Sequence, residues 1–164
     1  GDDPNAVGPY EASKFYAIDR YCSFVEDWGE TYQNGGIIVA DRYTTSNAVH
    51  QSAKMPKEER HQYFKWLAET EYEKMGIPKP DLVIYLDMPL GVTEKLMRER
   101  EASTSTEADI HEKNLTYLAE CKEAALEAAL YYGWHIIKCA KDGNSRDKRD
   151  IHEEVYKVVK ELIS

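Results

Sequence analysis

Hydrophobic residues fall along this chain in two patterns, and the alternation of the two predicts the fold class. Three short apolar runs, Ile37 to Ala40, Leu82 to Leu86 and His135 to Cys139, show no alternation with polar residues, which suits strands buried on both faces of a sheet. Longer stretches repeat apolar residues at three- and four-residue spacing and predict helices. The first covers Tyr10 to Gln33, with Phe15, Ile18, Cys22, Val25 and Tyr32 as its expected core stripe. The second covers Pro56 to Met75, burying Phe64, Leu67, Ala68, Tyr72 and Met75, and Gly76 fits its stop. A shorter helix is expected from Gly91 to Glu101. Asp109-Ile110-His111-Glu112 then has capping-box spacing and opens a helix reaching Tyr132, with Leu115, Leu118, Ala125 and Ala129 buried and Gly133 as its end. The last helix turns Ile151, Val155, Val158, Val159 and Leu162 to the core. His50 and Gln51 are read as leading into a loop, Lys57 to Arg60 as an exposed charged turn, and the polar residues 141–150 as another loop. Strands separated by helices make βαβ units, so the expectation is an α/β domain with a three-stranded parallel sheet.

Composition narrows the partners. At 164 residues the chain suits one domain, and 42% hydrophobic with 31% charged residues is ordinary for a globular protein. A net charge of -9 argues against general binding to nucleic acid or to an anionic membrane, while local arginines remain able to hold a small phosphate ligand. Three widely spaced cysteines outside any CxxC pattern imply neither a disulfide framework nor a zinc site, and a reducing cytoplasm is the simplest compartment. The five histidines show no HExxH spacing, and no GxSxG elbow occurs.

The candidate chemistry gathers at the end of the first apolar run. Asp41-Arg42-Tyr43 follows Ala40 directly, and in open parallel sheets ligands sit beyond the carboxyl ends of strands. There Asp41 can hold magnesium through water, and Arg42 can grip a phosphate with two parallel bonds. The alternative is a solvated strand end. Thr44, Thr45, Ser46 and Asn47 add hydroxyl and amide groups. On the first helix, Tyr16 and Arg20 lie one turn apart and would suit a flat polar base, or else belong to core and surface. Arg98 and Arg100 either complement a helix dipole or serve phosphate chemistry. The hydroxyl-rich 102–108 stretch marks a mobile loop.

An aromatic-x-x-x-Arg helix, then DRYTTSNAVHQ, then PDLVIYLDMP, then Arg-x-Arg before a hydroxyl-rich loop, together resemble the thymidylate (dTMP) kinase family of P-loop nucleoside monophosphate kinases. The resemblance implies a parallel sheet with helices on both faces, and transfer of the ATP γ-phosphoryl group to dTMP with Mg2+ present. It implies that Tyr16 stacks on thymine, Arg20 reaches its carbonyl edge, and Arg42 holds the dTMP phosphate with Asp41 near the magnesium. Ser46, Asn47 and Gln51 match polar groups of the nucleotide site, and His50 stands where a tyrosine beside the sugar is usual. Arg98 and Arg100 match the base of a flexible lid at about 101–111, which departs from the family in carrying Asp109-Ile110 instead of Asp-Arg. The family's homodimers imply that the Tyr10–Gln33 and Pro56–Met75 helices meet a partner copy, since Phe24, Trp28, Phe64 and Trp66 exceed one core stripe.

No GxxxxGK[ST] occurs in the sequence. The resulting expectation is the C-terminal part of a longer kinase, preceded by roughly 50 to 60 residues and inactive without them. Two other readings stand beside the dTMP kinase. One is a kinase for another nucleotide or a deoxynucleoside, and the other is a nucleotide-binding protein without catalysis.

Overall fold

The computed structural model describes residues 7–104 and 112–164, with the side chains of 100–104 and 112–114 left aside. Helix α1 (Pro9–Ser23) starts after an extended Gly8, with Pro9 in the first turn, where its missing amide hydrogen costs nothing. It continues without a break through a π-helical turn (Phe24–Trp28) into α2 (Gly29–Gln33). The wide turn depends on Gly29, whose amide returns to the Phe24 carbonyl and whose Cβ, if present, would lie 2.4 Å from that same oxygen.

The covered face of α1 differs from the expected stripe. Ser13 and Ala17 are its buried residues, whereas Phe15, Ile18 and Val25 are 71%, 54% and 60% exposed, and Cys22 and Tyr32 are exposed too. Apolar spacing marks a face that favours burial, but the small residues of the other face are the ones that admit close approach of the helices at Thr44–His50 and Lys57–Ala68. Ser13 sits there with its hydroxyl 2.7 Å from that of Tyr63.

Residues 37–40 form no strand among the described residues, and Val39 is 90% exposed. A strand is a paired structure, and nothing described here supplies the hydrogen-bonding neighbour that would hold this run in a ladder. The parallel sheet therefore consists of β1 (Ile84–Asp87) and β2 (His135–Lys138), paired from Ile84 opposite His135 to Asp87 opposite Lys138. Between these strands the chain runs through α5 (Leu90–Thr104) and α6 (Glu112–Tyr132). The fold is a helix-rich α/β one and its two strands are parallel as expected, but the βαβ unit expected from residues 37–40 to residues 82–86 does not form among the described residues. Part of the expected 141–150 loop pairs with Ala140 in a small antiparallel hairpin, β3 (Ala140–Lys141) with β4 (Asn144–Ser145). α7 (Lys148–Ile163) closes the chain. Its apolar stripe is only half covered, with Leu162 52% exposed, because its main neighbour is the short β2.

The core lies where α3 (Thr44–His50), α4 (Lys57–Ala68) and α6 converge. Tyr63, Phe64, Leu67, Ala48 and Ala128 form its centre, with Tyr10, Trp66, Tyr132 and Trp134 around them. Ala124, Ala125, Ala128 and Ala129 line the buried side of α6 and let its backbone come close. Several expectations change here. Residues 44–50 are a helix that the sequence reading did not place, and the loop expected from His50 and Gln51 onward begins as a 3₁₀ turn (Ser52–Lys54), because this short segment carries no apolar period to signal a helix. Arg60 is 2% exposed, its Nε donating to Ser52 O at 3.2 Å and its Nη1 to Glu127 at 3.0 Å, so it leaves the exposed charged turn that Lys57, Glu58 and Glu59 form as expected. Phe64 is likewise fully buried, so it is no surplus aromatic for a partner. α4 runs on into a second π-helical turn (Glu69–Lys74), and Gly76 ends it at φ 73.

Candidate functional site

The two flanks of α3 carry two polar groups of side chains. On one flank, the π-helical turn after α4 pushes Glu71 inward until it is fully buried. Its carboxylate accepts from Arg20 Nε at 2.7 Å and Arg20 Nη2 at 2.9 Å, a two-bond fork, and from Asn47 Nδ2 at 3.2 Å. Asn47 also donates to Ser13 O at 3.3 Å, and Tyr63 donates to Asn47 O at 3.2 Å. A buried carboxylate is tolerated because every contact is a hydrogen bond and one partner is a cation. Arg20 thereby takes a fixed orientation, with its Nε and Nη2 edge turned inward. A ligand would meet it through Nη1. Tyr16, one turn before Arg20 on α1, is 55% exposed.

Tyr43 links this group to the bend at 41–43. Its hydroxyl donates to Pro78 O at 3.0 Å, and burial raises its pKa, with Tyr72 and Glu71 adding to the rise and Arg20 opposing it. The bend therefore lies within electrostatic reach of Arg20. Arg42 adopts φ 72, a left-handed conformation uncommon outside glycine, and both Asp41 and Arg42 are exposed.

The other flank of α3 faces α6. His50 Nε2 lies 2.5 Å from Arg42 Nη2, and its Nδ1 lies 3.2 Å from the Tyr117 hydroxyl and 3.6 Å from Cys121 Sγ. The His50 and Tyr117 rings are stacked at 24°. Burial lowers the His50 pKa below its ordinary 6.5, helped by the positive charges of Arg42 and Lys54. Burial also pushes the Tyr117 hydroxyl and the Cys121 thiol up, so both stay protonated near neutral pH.

The predicted site residues thus divide into several environments. Arg42 and His50 come together directly, and Arg20 and Asn47 meet through Glu71. Asn47, 2% exposed, points into the buried group and not to an open surface. Ser46 is half-buried. Gln51 is 6% exposed, and its Oε1 is buried with no hydrogen-bond partner among the described residues. Arg98 pairs with Glu94 one turn back on α5. Arg100 lies on the same helix. α5 extends through Thr104, past the expected end at Glu101, and residues 105–111 of the expected lid, including Asp109-Ile110, lie outside the described residues. Sequence reasoning missed Glu71, Tyr117, Ser13 and Tyr63. For Glu71 the only signal was an acid lying between the apolar positions Ala68, Tyr72 and Met75.

For a metal, the donor set decides. Among the described residues no three His, Cys, Asp or Glu side chains gather to hold an ion. An exposed single carboxylate such as Asp41 suits magnesium held mostly by water and substrate phosphates, as this ion prefers. A separate cavity of about 240 Å³ opens beside Thr44, Thr45, Tyr72, Lys79, Val83 and Trp134; of the candidate segment it takes in the two threonines, but not Arg42, Ser46, Asn47, His50 or Gln51. No described helix is long and apolar enough to cross a membrane.

Against known proteins, the model of the thymidylate kinase family matches residues 3–161. The chain is 24% identical to a probable thymidylate kinase of Pyrobaculum aerophilum over 96% of its own length and 72% of that protein's. It is 24% identical to probable thymidylate kinase 1 of Saccharolobus solfataricus over 88% of its own length and 64% of the relative's. It is 27% identical to a thymidylate kinase of Mycobacterium tuberculosis over 61% of the chain and 44% of the relative.

Proposed function

The chain belongs to the thymidylate kinase family, and from that premise we propose that the intact protein transfers the γ-phosphoryl group of ATP to dTMP, giving dTDP and ADP. One observation carries the reading. Arg20, fixed by a buried carboxylate, lies within electrostatic reach of Tyr43, and Arg42, the residue before Tyr43, is exposed at the bend. A pair of guanidiniums set this way suits a nucleotide, with its base at one and its phosphate at the other.

In this reading Tyr16 stacks on the thymine, and Arg20 meets its carbonyl edge through Nη1. Arg42 donates two parallel hydrogen bonds to oxygens of the acceptor phosphate. Asn47 acts one step back, orienting Arg20 through Glu71, while Ser46 and Gln51 supply polar contacts and His50 borders the sugar. The Gln51 Oε1, buried without a partner among the described residues, supports a donor arriving from the ligand. Magnesium, bound through Asp41 and water, would neutralise charge on the phosphates. Transfer needs no covalent intermediate: the residues align acceptor and donor and offset the charge spread over the moving phosphoryl group. Arg98 and Arg100, at the base of a lid at about 101–111, would close over ATP. The same reading takes the protein as a cytoplasmic homodimer, with no nucleic acid or membrane among its partners.

His50 supports a second acceptor reading, another nucleotide or a deoxynucleoside, because a ring tied to Arg42 is not the tyrosine usual beside the sugar. A coupled ADP-release assay on the intact protein with dTMP, dUMP, dCMP and thymidine separates the two. dTMP is expected to be the best acceptor. A preference for thymidine, which has no phosphate for Arg42, would discard the reading.

A further inference from the structure

Arg42 is a long, exposed side chain on a left-handed backbone, and such a residue samples many orientations unless something holds its head. The holder is His50, eight residues later, which α3 brings back alongside the bend. The imidazole is itself fixed from the far side. Tyr117 and Cys121 project from α6 onto its Nδ1 edge at 3.2 Å and 3.6 Å, leaving Nε2 pointing at the guanidinium.

The chemistry of that contact allows one protonation state. A guanidinium has only donors, so Nε2 must accept and cannot carry a proton. The neutral ring must then carry its proton on Nδ1, donated to the Tyr117 oxygen. From this geometry we infer that neutral His50 is a positioning residue for Arg42, and that protonation of the ring at Nε2 releases the guanidinium. On protonation the acceptor lone pair is taken, and two cations face each other where a hydrogen bond stood.

The charged and titratable groups around the ring agree with the neutral state near pH 7. Arg42 comes from the bend, Lys54 from the 3₁₀ turn that continues α3, and Tyr117 and Cys121 from α6, with Glu120 beside those two. Burial and the two cations disfavour a charged ring. The inference rests on the proposed function only for its consequence, that a released Arg42 holds the acceptor phosphate less well. That would make acceptor binding weaken in mildly acid solution.

Two measurements on the intact protein test this. Ring-nitrogen NMR of the ligand-free protein at about pH 7.5 should show His50 protonated at Nδ1 and bare at Nε2, with the tautomer balance disturbed in Tyr117→Phe. A ring protonated at Nε2 in wild type would overturn the inference whatever the ligand does. Calorimetry with dTMP at about pH 7.5 and about pH 5.5 should then show a several-fold greater loss of affinity on acidification in wild type than in His50→Gln, which cannot titrate. The second ionisation of the dTMP phosphate, near pH 6, is common to both proteins and cancels in that ratio. Equal losses, or tighter binding by wild type in acid, would show that the ring does not hold Arg42 for phosphate. An Nδ1-protonated ring in a protein whose dTMP affinity ignores Arg42→Ala would retain the hold and remove the phosphate role, so the two failures are told apart.

Discussion

Glu71 is the residue whose alteration is most informative about this fold, because three donors depend on one fully buried carboxylate. Glu71→Gln keeps the volume and removes the charge. It leaves one amide oxygen for three donors and turns an NH2 group either towards Arg20 Nε or towards Arg20 Nη2 and Asn47 Nδ2, where a donor now faces a donor. The Arg20 side chain is 16% exposed, so water restores little of what is lost. Losing one charge-assisted bond removes about 1.5 to 3 kcal/mol, and an uncompensated buried charge brings the total to about 3 to 5 kcal/mol. Urea unfolding followed by tryptophan fluorescence measures it, since Trp66 and Trp134 pack at the core. The double variant Arg20→Met with Glu71→Met should lose much less than the two single variants summed, because it strands no charge. A Glu71→Gln protein within about 0.5 kcal/mol of wild type, or additive single effects, would refute the reasoning.

Other consequences are simpler to state. Tyr16→Ala should weaken dTMP binding by about 1 to 3 kcal/mol through lost stacking, read by calorimetry on the intact protein, and unchanged affinity would remove Tyr16 from the base site. Phe64→Ala, at the centre of the core and fully buried, should cost about 3 to 5 kcal/mol in the same urea assay, and a loss under 1 kcal/mol would show a core that collapses without strain. His50 has a folded pKa below 6.5, so the unfolded chain binds its proton first as pH falls. Its contribution to stability is therefore complete above pH 6.5 and declines below it towards the lower folded pKa, a slope that His50→Gln should flatten.

Helix positions were legible from spacing alone, since the stretches Tyr10 to Gln33 and Pro56 to Met75 carry enough apolar repeats to outlast the π-helical turns within them. The strands at Leu82 and His135 were legible because each run meets the other in the fold. Residues 37–40 have the same composition and no partner here, and pairing is a property of two segments that one segment's pattern cannot report. The buried face of α1 was missed because Ser13 and Ala17 are selected by closeness of approach, a quantity absent from any hydrophobicity pattern. Arg42 and His50 were legible as site candidates by resemblance. Their contact was not, because it depends on α3, whose seven residues, mostly polar, are too few to give a period. Glu71 looked like an ordinary solvated acid on a helix, and only the widened π-helical turn carries it inside.

The central claim, that Arg42 binds the acceptor phosphate through its planar fork, is tested most directly by steady-state kinetics of Arg42→Lys in the intact protein. Lysine keeps the charge and loses the second parallel bond and the donor that engages His50 from a fixed plane. Loss of one charge-assisted hydrogen bond predicts a fall in kcat/KM for dTMP of about ten- to a hundredfold. A lysine variant that turns over dTMP as wild type does would contradict the account.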